Sequence, residues 1–275
     1  MRAIILAAGK GKRLAAAAGD VPKCLVRVGG RTLLDRQIQS LRACGVDDIT
    51  VVVGYQAARV AAACRPAAST IENARYADTN SLYSLWLARA LVGDGFVVMN
   101  ADVLFHPQLL GDLLSSRLED ALIVAFRDHR VEPFTDEEMK VSVRGGCVAD
   151  IAKTLPPGDA DGENVGIVKF GAAGARLLLE QMERIVVAEG GVREWAPRAF
   201  QRFARLRPLH VIGTRGFPWI EIDFPEDYAR AMSEVLPLIE APGRALAPAA
   251  GLTSPAAVRA AGVAGAEWRP QPGHV

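Results

Sequence analysis

An apolar, β-prone run from Ala3 to Ala8 empties directly into Gly9-Lys10-Gly11-Lys12-Arg13, and a further basic residue, Lys23, follows Pro22. This junction limits the possible folds more than any other stretch. A buried strand ending in a cationic glycine loop is how α/β proteins seat a phosphate. Glycines let backbone N–H groups approach the oxygens, and Lys or Arg supplies the counter-charge. Two familiar phosphate loops do not fit. The P-loop needs Ser or Thr after Gly-Lys, yet Arg13 follows Gly11-Lys12; the dinucleotide fingerprint needs glycine where Leu14 stands. A plain strand-to-helix turn with solvated lysines explains the glycines but not this order of basic residues. Gly9, Gly11, Arg13 and Lys23 are therefore candidate phosphate ligands.

To about residue 130, strand and helix patterns alternate. Arg31 to Cys44 puts Leu34, Ile38 and Leu41 on one helical face, with Gly45 as its stop. Ile49 to Val53 reads as a buried strand and Gln56 to Cys64 as an alanine-rich helix ending before Pro66. Ser81 to Leu91 is predicted helical behind an Asn80 cap, Gly95 to Met99 a strand, Pro107 to Ser116 a helix and Ala121 to Phe126 a strand. Such alternation predicts an α/β, Rossmann-like fold: a mostly parallel sheet sandwiched by helices, with ligands at the strands' C-terminal ends.

Beyond Asp128 the rhythm changes. Met139 to Val143, Val148 to Leu155 and Val165 to Phe170 read as strands joined by turns, an antiparallel β extension over 128–170 that forms the second wall of a cleft. Helices are predicted at Ala172 to Val187 and Pro197 to Ala204, a strand at Leu209 to Ile212, and a last helix at Pro225 to Leu236, stopped by Pro237. The expected organisation is one domain, 1–237, followed by an Ala/Pro/Gly-rich tail, 238–275, that is a flexible end or a helix on a neighbour.

Half of the 275 residues are apolar, enough for a sizeable core, and a net charge of +1 argues against a nucleic-acid or membrane-surface binder. No apolar run approaches the ~20 residues of a spanning helix, and a signal-peptide pattern is missing. Cys24, Cys44, Cys64 and Cys147 form no C-x-x-C pair, so they read as buried reduced thiols of a cytoplasmic protein. His106, His129, His210 and His274 are scattered and suggest no chemistry.

The acids that could serve the phosphate loop stand at strand ends. Asp102 follows the strand Gly95 to Met99 and could hold Mg²⁺, which takes oxygen ligands and usually only one or two from protein. A turn aspartate is the plainer reading. Asp223 ends the short strand run Trp219-Ile220-Glu221-Ile222, but Asp223-Phe224-Pro225-Glu226 also fits a helix capping box. Neither reading excludes the other.

The stretches LAAGKGKRL and PKCLVRVGGRTLLDRQIQSL resemble the opening of the nucleotidyltransferases, which activate sugar phosphates and small phospho-alcohols with NTPs. Thr79 to Trp86, Ala160 to Ile167 and Trp219 to Asp227 are similar to the cytidylyltransferase branch, acting on phosphocholine, aminoalkylphosphonates or inositol phosphate. The resemblance covers residues 1 to about 235. It implies CTP and a small phosphorylated acceptor as partners, Mg²⁺ as cofactor at Asp102 and Asp223, and release of pyrophosphate. It also implies a base and ribose pocket lined by Leu6, Ala7, Ala8, Gly9, Asn80 and Ser81. In-line attack by an already anionic acceptor needs no base or nucleophile, so Arg13 and Lys23, with Asp102 and Asp223, carry the expected catalysis by positioning and charge.

For the acceptor, Glu194, Trp195, Trp219 and Glu221 offer the aromatic and acidic surface that an ammonium group favours, against a core-packing or surface reading of each. Lys140 and Lys153 on the expected second wall could meet the acceptor's phosphate, and Glu163 lies in a stretch that carries the resemblance. Tyr83 and Trp86 read as core. Two rival functions stand beside this one: a sugar-1-phosphate nucleotidyltransferase using dTTP or UTP, and a non-catalytic nucleotide-binding regulator.

Overall fold

A computed structural model describes residues 1–14, 19–128 and 130–241. The expected tail lies outside these residues apart from its first four, as does His129. Thirteen strands are present among the described residues: β1 (Arg2–Ala7), β2 (Arg27–Val28), β3 (Arg31–Thr32), β4 (Ile49–Val53), β5 (Ser69–Glu72), β6 (Phe96–Asn100), β7 (Val103–Phe105), β8 (Ala121–Phe126), β9 (Lys140–Arg144), β10 (Cys147–Ala152), β11 (Gly162–Phe170), β12 (His210–Gly213) and β13 (Trp219–Glu221). The α-helices are α1 (Leu33–Ala43), α2 (Ala57–Cys64), α3 (Ser81–Leu87), α4 (Pro107–Ser115), α5 (Ala172–Glu183), α6 (Pro197–Leu206), α7 (Pro225–Arg230) and α8 (Leu236–Glu240).

Nine strands form one mixed sheet in the order β5-β4-β1-β6-β11-β8-β12-β10-β9. The first four run parallel, as the strand–helix alternation requires. β1 lies inside this half with Ala3, Ile4 and Ile5 fully buried, which is why its sequence is a continuous apolar run rather than an alternating one. Burying an Ile side chain of this kind contributes about 1.5–3 kcal/mol. β11 then enters antiparallel to both β6 and β8, so one strand joins the two halves of the molecule. β9 pairs with β10 and also with β11, so the far half of the sheet curls back on its own centre. The expected 128–170 extension is thus continuous with the main sheet.

Local signals explain most boundaries. α1 starts at a full capping box: the Thr32 hydroxyl accepts from Asp35 N–H and the Asp35 carboxylate from Thr32 N–H. Leu34, Ile38 and Leu41 on it are buried as the spacing predicts. α3 is shorter than expected, because the chain tightens into a 3₁₀ turn at Arg89–Leu91. Pro237 is not a stop. A π-turn at Ala231–Val235 leads from α7 into α8, whose first turn contains Pro237, where no N–H is needed. Cys24 and Cys64 are buried, whereas Cys44 and Cys147 are only half-buried, and all four are free. Among the described residues no helix is long and apolar enough to cross a membrane.

Candidate functional site

The C-terminal end of β1 opens into a cleft of about 350 Å³, bordered by Leu6, Ala8, Gly9 and Gly11 on one side and Asn80 and Ser81 on another. Ala7 points to the core instead and does not line it. Gly11 has φ of +60°, and a Cβ there would collide with Cγ of Lys23. Glycine is thus needed both for the turn and for the lysine stem to pass. Lys23 itself starts a 3₁₀ turn anchored by buried Cys24 and Leu25.

The acids meet because two short strands fix their register. β7 and β13 form a separate antiparallel ladder, not an edge of the main sheet, in which Glu221 opposes Val103. Ile222 N–H donates to the Asp102 carbonyl at 3.0 Å, tying the two acidic turns together. The buried Gln37 amide of α1 donates to the carbonyls of Asn100 and Val103, each at 2.9 Å, and so holds the turn that carries Asp102. As a result one carboxylate oxygen from each of Asp102, Glu221 and Asp223 lies within 4.8 Å of the others.

Cations answer these acids. The Lys23 ammonium bonds Asp102 at 3.3 Å and makes a closer contact with Asp223. Burial opposes its charge, but Asp102 and Asp223 outweigh burial and raise the Lys23 pKa above its ordinary value. Arg13 bonds Glu137 at 2.9 Å and Asp223 at 2.6 Å, with its guanidinium 4.5 Å from the centre of the Phe224 ring. Desolvation, with Asp102 and Asp223 adding to it, pushes the Glu221 carboxyl well above the usual carboxylate range despite Lys23.

Asp223 does not cap the last helix. Instead the Asp227 carboxylate, in the first turn of α7, reaches back to accept from the N–H groups of Asp223 and Phe224 at 3.0 and 2.8 Å. The Asp223 oxygens are left for Lys23 and Arg13. Three oxygen donors converge, and Asp102 Oδ1 is buried without a hydrogen-bond partner among the described residues. A hard divalent cation suits that donor set.

A second cavity, about 520 Å³, adjoins the first through the shared residues Glu137, Glu221 and Asp223. Glu163 and Trp219 line it. Burial, then the neighbouring Glu138, pushes the Glu163 carboxyl up to about 7. Trp195 and Lys153 face the first cleft instead, with the Lys153 ammonium 5.0 Å from the indole centre.

Two expected acceptor ligands line neither cavity. Lys140 does not reach out to an acceptor's phosphate: β9 is covered on that side, and the buried ammonium donates to the Thr135 carbonyl at 2.7 Å. Glu194 is exposed and bonds through its backbone, its carbonyl accepting from Leu82 N–H and its N–H donating to the Gly191 carbonyl. Conversely, Asn73, Tyr76, Thr79, Asn100 and Asn164 line the cleft without having been singled out. Asn73 is buried and donates to Thr79 and Ser84, bracing that side of the cleft. Gly166, at φ +82°, leaves room for Asn100, whose Nδ2 would lie 2.8 Å from an added Cβ.

A family profile described as the MobA-like NTP transferase domain matches residues 3–200. A bifunctional IPC transferase and DIPP synthase of Rubrobacter xylanophilus is 31% identical over 239 residues, 85% of this chain and 52% of that protein. The choline-phosphate cytidylyltransferase of Streptococcus pneumoniae is 35% identical over 117 residues, 42% of this chain and 51% of that one. The chain therefore spans about half the length of the first curated relatives it matches. In three dimensions it is similar to the CTP:phosphocholine cytidylyltransferase structure from S. pneumoniae, with a TM-score of 0.69, 25% identity and coverage of 83% and 96% of the two chains.

Proposed function

The chain belongs to the MobA-like NTP transferase family, and from this we propose that it is a Mg²⁺-dependent cytidylyltransferase joining CTP to a small phosphorylated alcohol or phosphonate with release of pyrophosphate. The observation that carries the reading is the meeting of Asp102, Glu221 and Asp223 with Lys23 and Arg13 at the mouth of the glycine-loop cleft. Relatives described as cytidylyltransferases support CTP as the nucleotide.

In this reading the first cleft takes the nucleotide. Leu6, Ala8, Gly9, Asn80 and Ser81 border the base and ribose, and Gly11, Arg13 and Lys23 face the phosphates. The acceptor lies in the adjoining cavity near Glu163, Trp219 and Glu221. Its anionic oxygen forms a bond to the α-phosphorus while the bond to pyrophosphate breaks. The guanidinium fork of Arg13 can hold two phosphate oxygens, and Lys23 supplies a point charge, so charge builds up on groups already in place. Mg²⁺, held by Asp102 and Asp223, would supply further neutralisation of the phosphates when bound.

The test is pyrophosphate release from a panel of NTPs against phosphocholine, 2-aminoethylphosphonate, inositol phosphate and sugar 1-phosphates, with Mg²⁺ or EDTA. Magnesium-dependent turnover with CTP and a phospho-alcohol or phosphonate is expected. A preference for UTP or dTTP with a sugar 1-phosphate would move the protein to the sugar-activating enzymes. Nucleotide binding with no turnover would make it a regulator.

A further inference from the structure

Among the described residues, the cations Arg13, Lys23 and Lys153 line the nucleotide cleft, and each already holds a carboxylate. Two of those carboxylates, Asp102 and Asp223, belong to the acidic cluster and would hold a divalent ion. Glu137 does not belong to it. It bonds Arg13 at 2.9 Å and stands 3.6 Å from the Lys153 ammonium, so one exposed carboxylate spans a residue of the glycine loop and a residue of the opposite wall. It also lines both cavities, at the partition between them.

The placement of Glu137 is built rather than incidental. Its own N–H donates to the Thr135 hydroxyl at 3.2 Å. The Thr135 carbonyl receives the buried Lys140 ammonium, and Thr135 N–H donates to Glu138 at 2.6 Å. Lys140, silent in both cavities, thus fixes the stretch from which Glu137 reaches across the cleft.

Resting on the nucleotide reading of that cleft, we propose that Glu137 is a stand-in for phosphate, occupying Arg13 and Lys153 in the empty protein and yielding both to the incoming triphosphate. The cations are thereby kept oriented and paired before the nucleotide arrives, and binding exchanges one anion for another. Its cost is affinity, because the nucleotide must displace the internal carboxylate. Its gain is that the glycine loop and the opposite wall are drawn together only by a ligand with phosphates, or by Glu137 in its absence.

Calorimetric titration of CTP and of cytidine into the wild type and Glu137→Gln, with and without Mg²⁺, tests this. An exposed ion pair of this kind is worth little, so removing the competing charge should tighten CTP by about two- to fivefold. Cytidine, which has no phosphate to compete, should bind both proteins equally. Unchanged or weaker CTP binding by Glu137→Gln overturns the proposal, as does equal tightening of cytidine, which would mean only that the cleft had opened. The nucleotide reading fails separately, if the wild type binds no nucleoside triphosphate at all.

Discussion

Asp102 combines two unlike attachments. Its carbonyl is fixed by Ile222 N–H, whereas its Oδ1 is buried with no hydrogen-bond partner among the described residues. Asp102→Ala should therefore keep the turn and lose the charge: turnover falls on the order of 100-fold or more, since charge neutralisation of several kcal/mol is at stake at 1.36 kcal/mol per decade, while Tm changes little. An unaltered kcat would reject the assignment. Glu163 gives a prediction in pH. Its folded pKa of about 7 exceeds the ordinary 4.5, so this group's stability contribution is fully present below pH 4.5 and is lost as pH rises to 7. The loss is on the order of 3 kcal/mol. Glu163→Gln is spared it, so the variant's Tm relative to wild type should rise from pH 4.5 to pH 8; a gap independent of pH would refute the shift. Arg13 and Lys23 could be singled out because a glycine loop needs counter-charge, and both line the cleft. Glu137 was not, since a lone carboxylate in an aperiodic stretch carries no pattern, and Glu221 was read for an acceptor although register brings it into the acid cluster.

Gly11 shows how a turn governs a distant side chain. Gly11→Ala asks an L-residue to adopt φ +60° at about 1–2 kcal/mol, and it also pushes Lys23 aside. A modest fall in Tm with a much larger fall in kcat/KM is expected from steady-state kinetics beside thermal melts. Equal activity would mean that the lysine stem has another route. Among the elements, those that bury apolar surface announced themselves: β1, β4 and β8 as continuous apolar runs, α1 by its helical periodicity. β5 did not, because its residues Ser69–Glu72 are mostly exposed and polar on the sheet's edge. β7 is only three residues long, and its ladder with β13 depends on partners more than a hundred residues apart. Pro237 misled because proline stops one helix and starts another with the same ring.

At the scale of the molecule, the two cavities share β11, with Asn164 lining the first and Glu163 the second, and this strand borders β6 in one half and β8 and β9 in the other. Ligands that bind only the folded state should report on both halves at once. At a concentration about 100 times its Kd, CTP with Mg²⁺ should add roughly 2.7 kcal/mol, or about 5–11 °C in Tm. EDTA should remove most of that gain, and a Tm indifferent to EDTA would argue against the acidic cluster as a metal site. The parallel half of the sheet was readable from alternation, whereas the return of β9 onto β11 is a pairing across some twenty residues that no local pattern encodes. That return has a practical corollary. The stretch bearing Glu137 and Glu138 is pinned at one end by Arg127 N–H on the Asp161 carbonyl and at the other by Asn164 N–H on the Met139 carbonyl. Between those rivets Glu132, Thr135, Glu137 and Glu138 line the second cavity, so exchanging the stretch for the equivalent one of a relative should retune which molecule that cavity accepts.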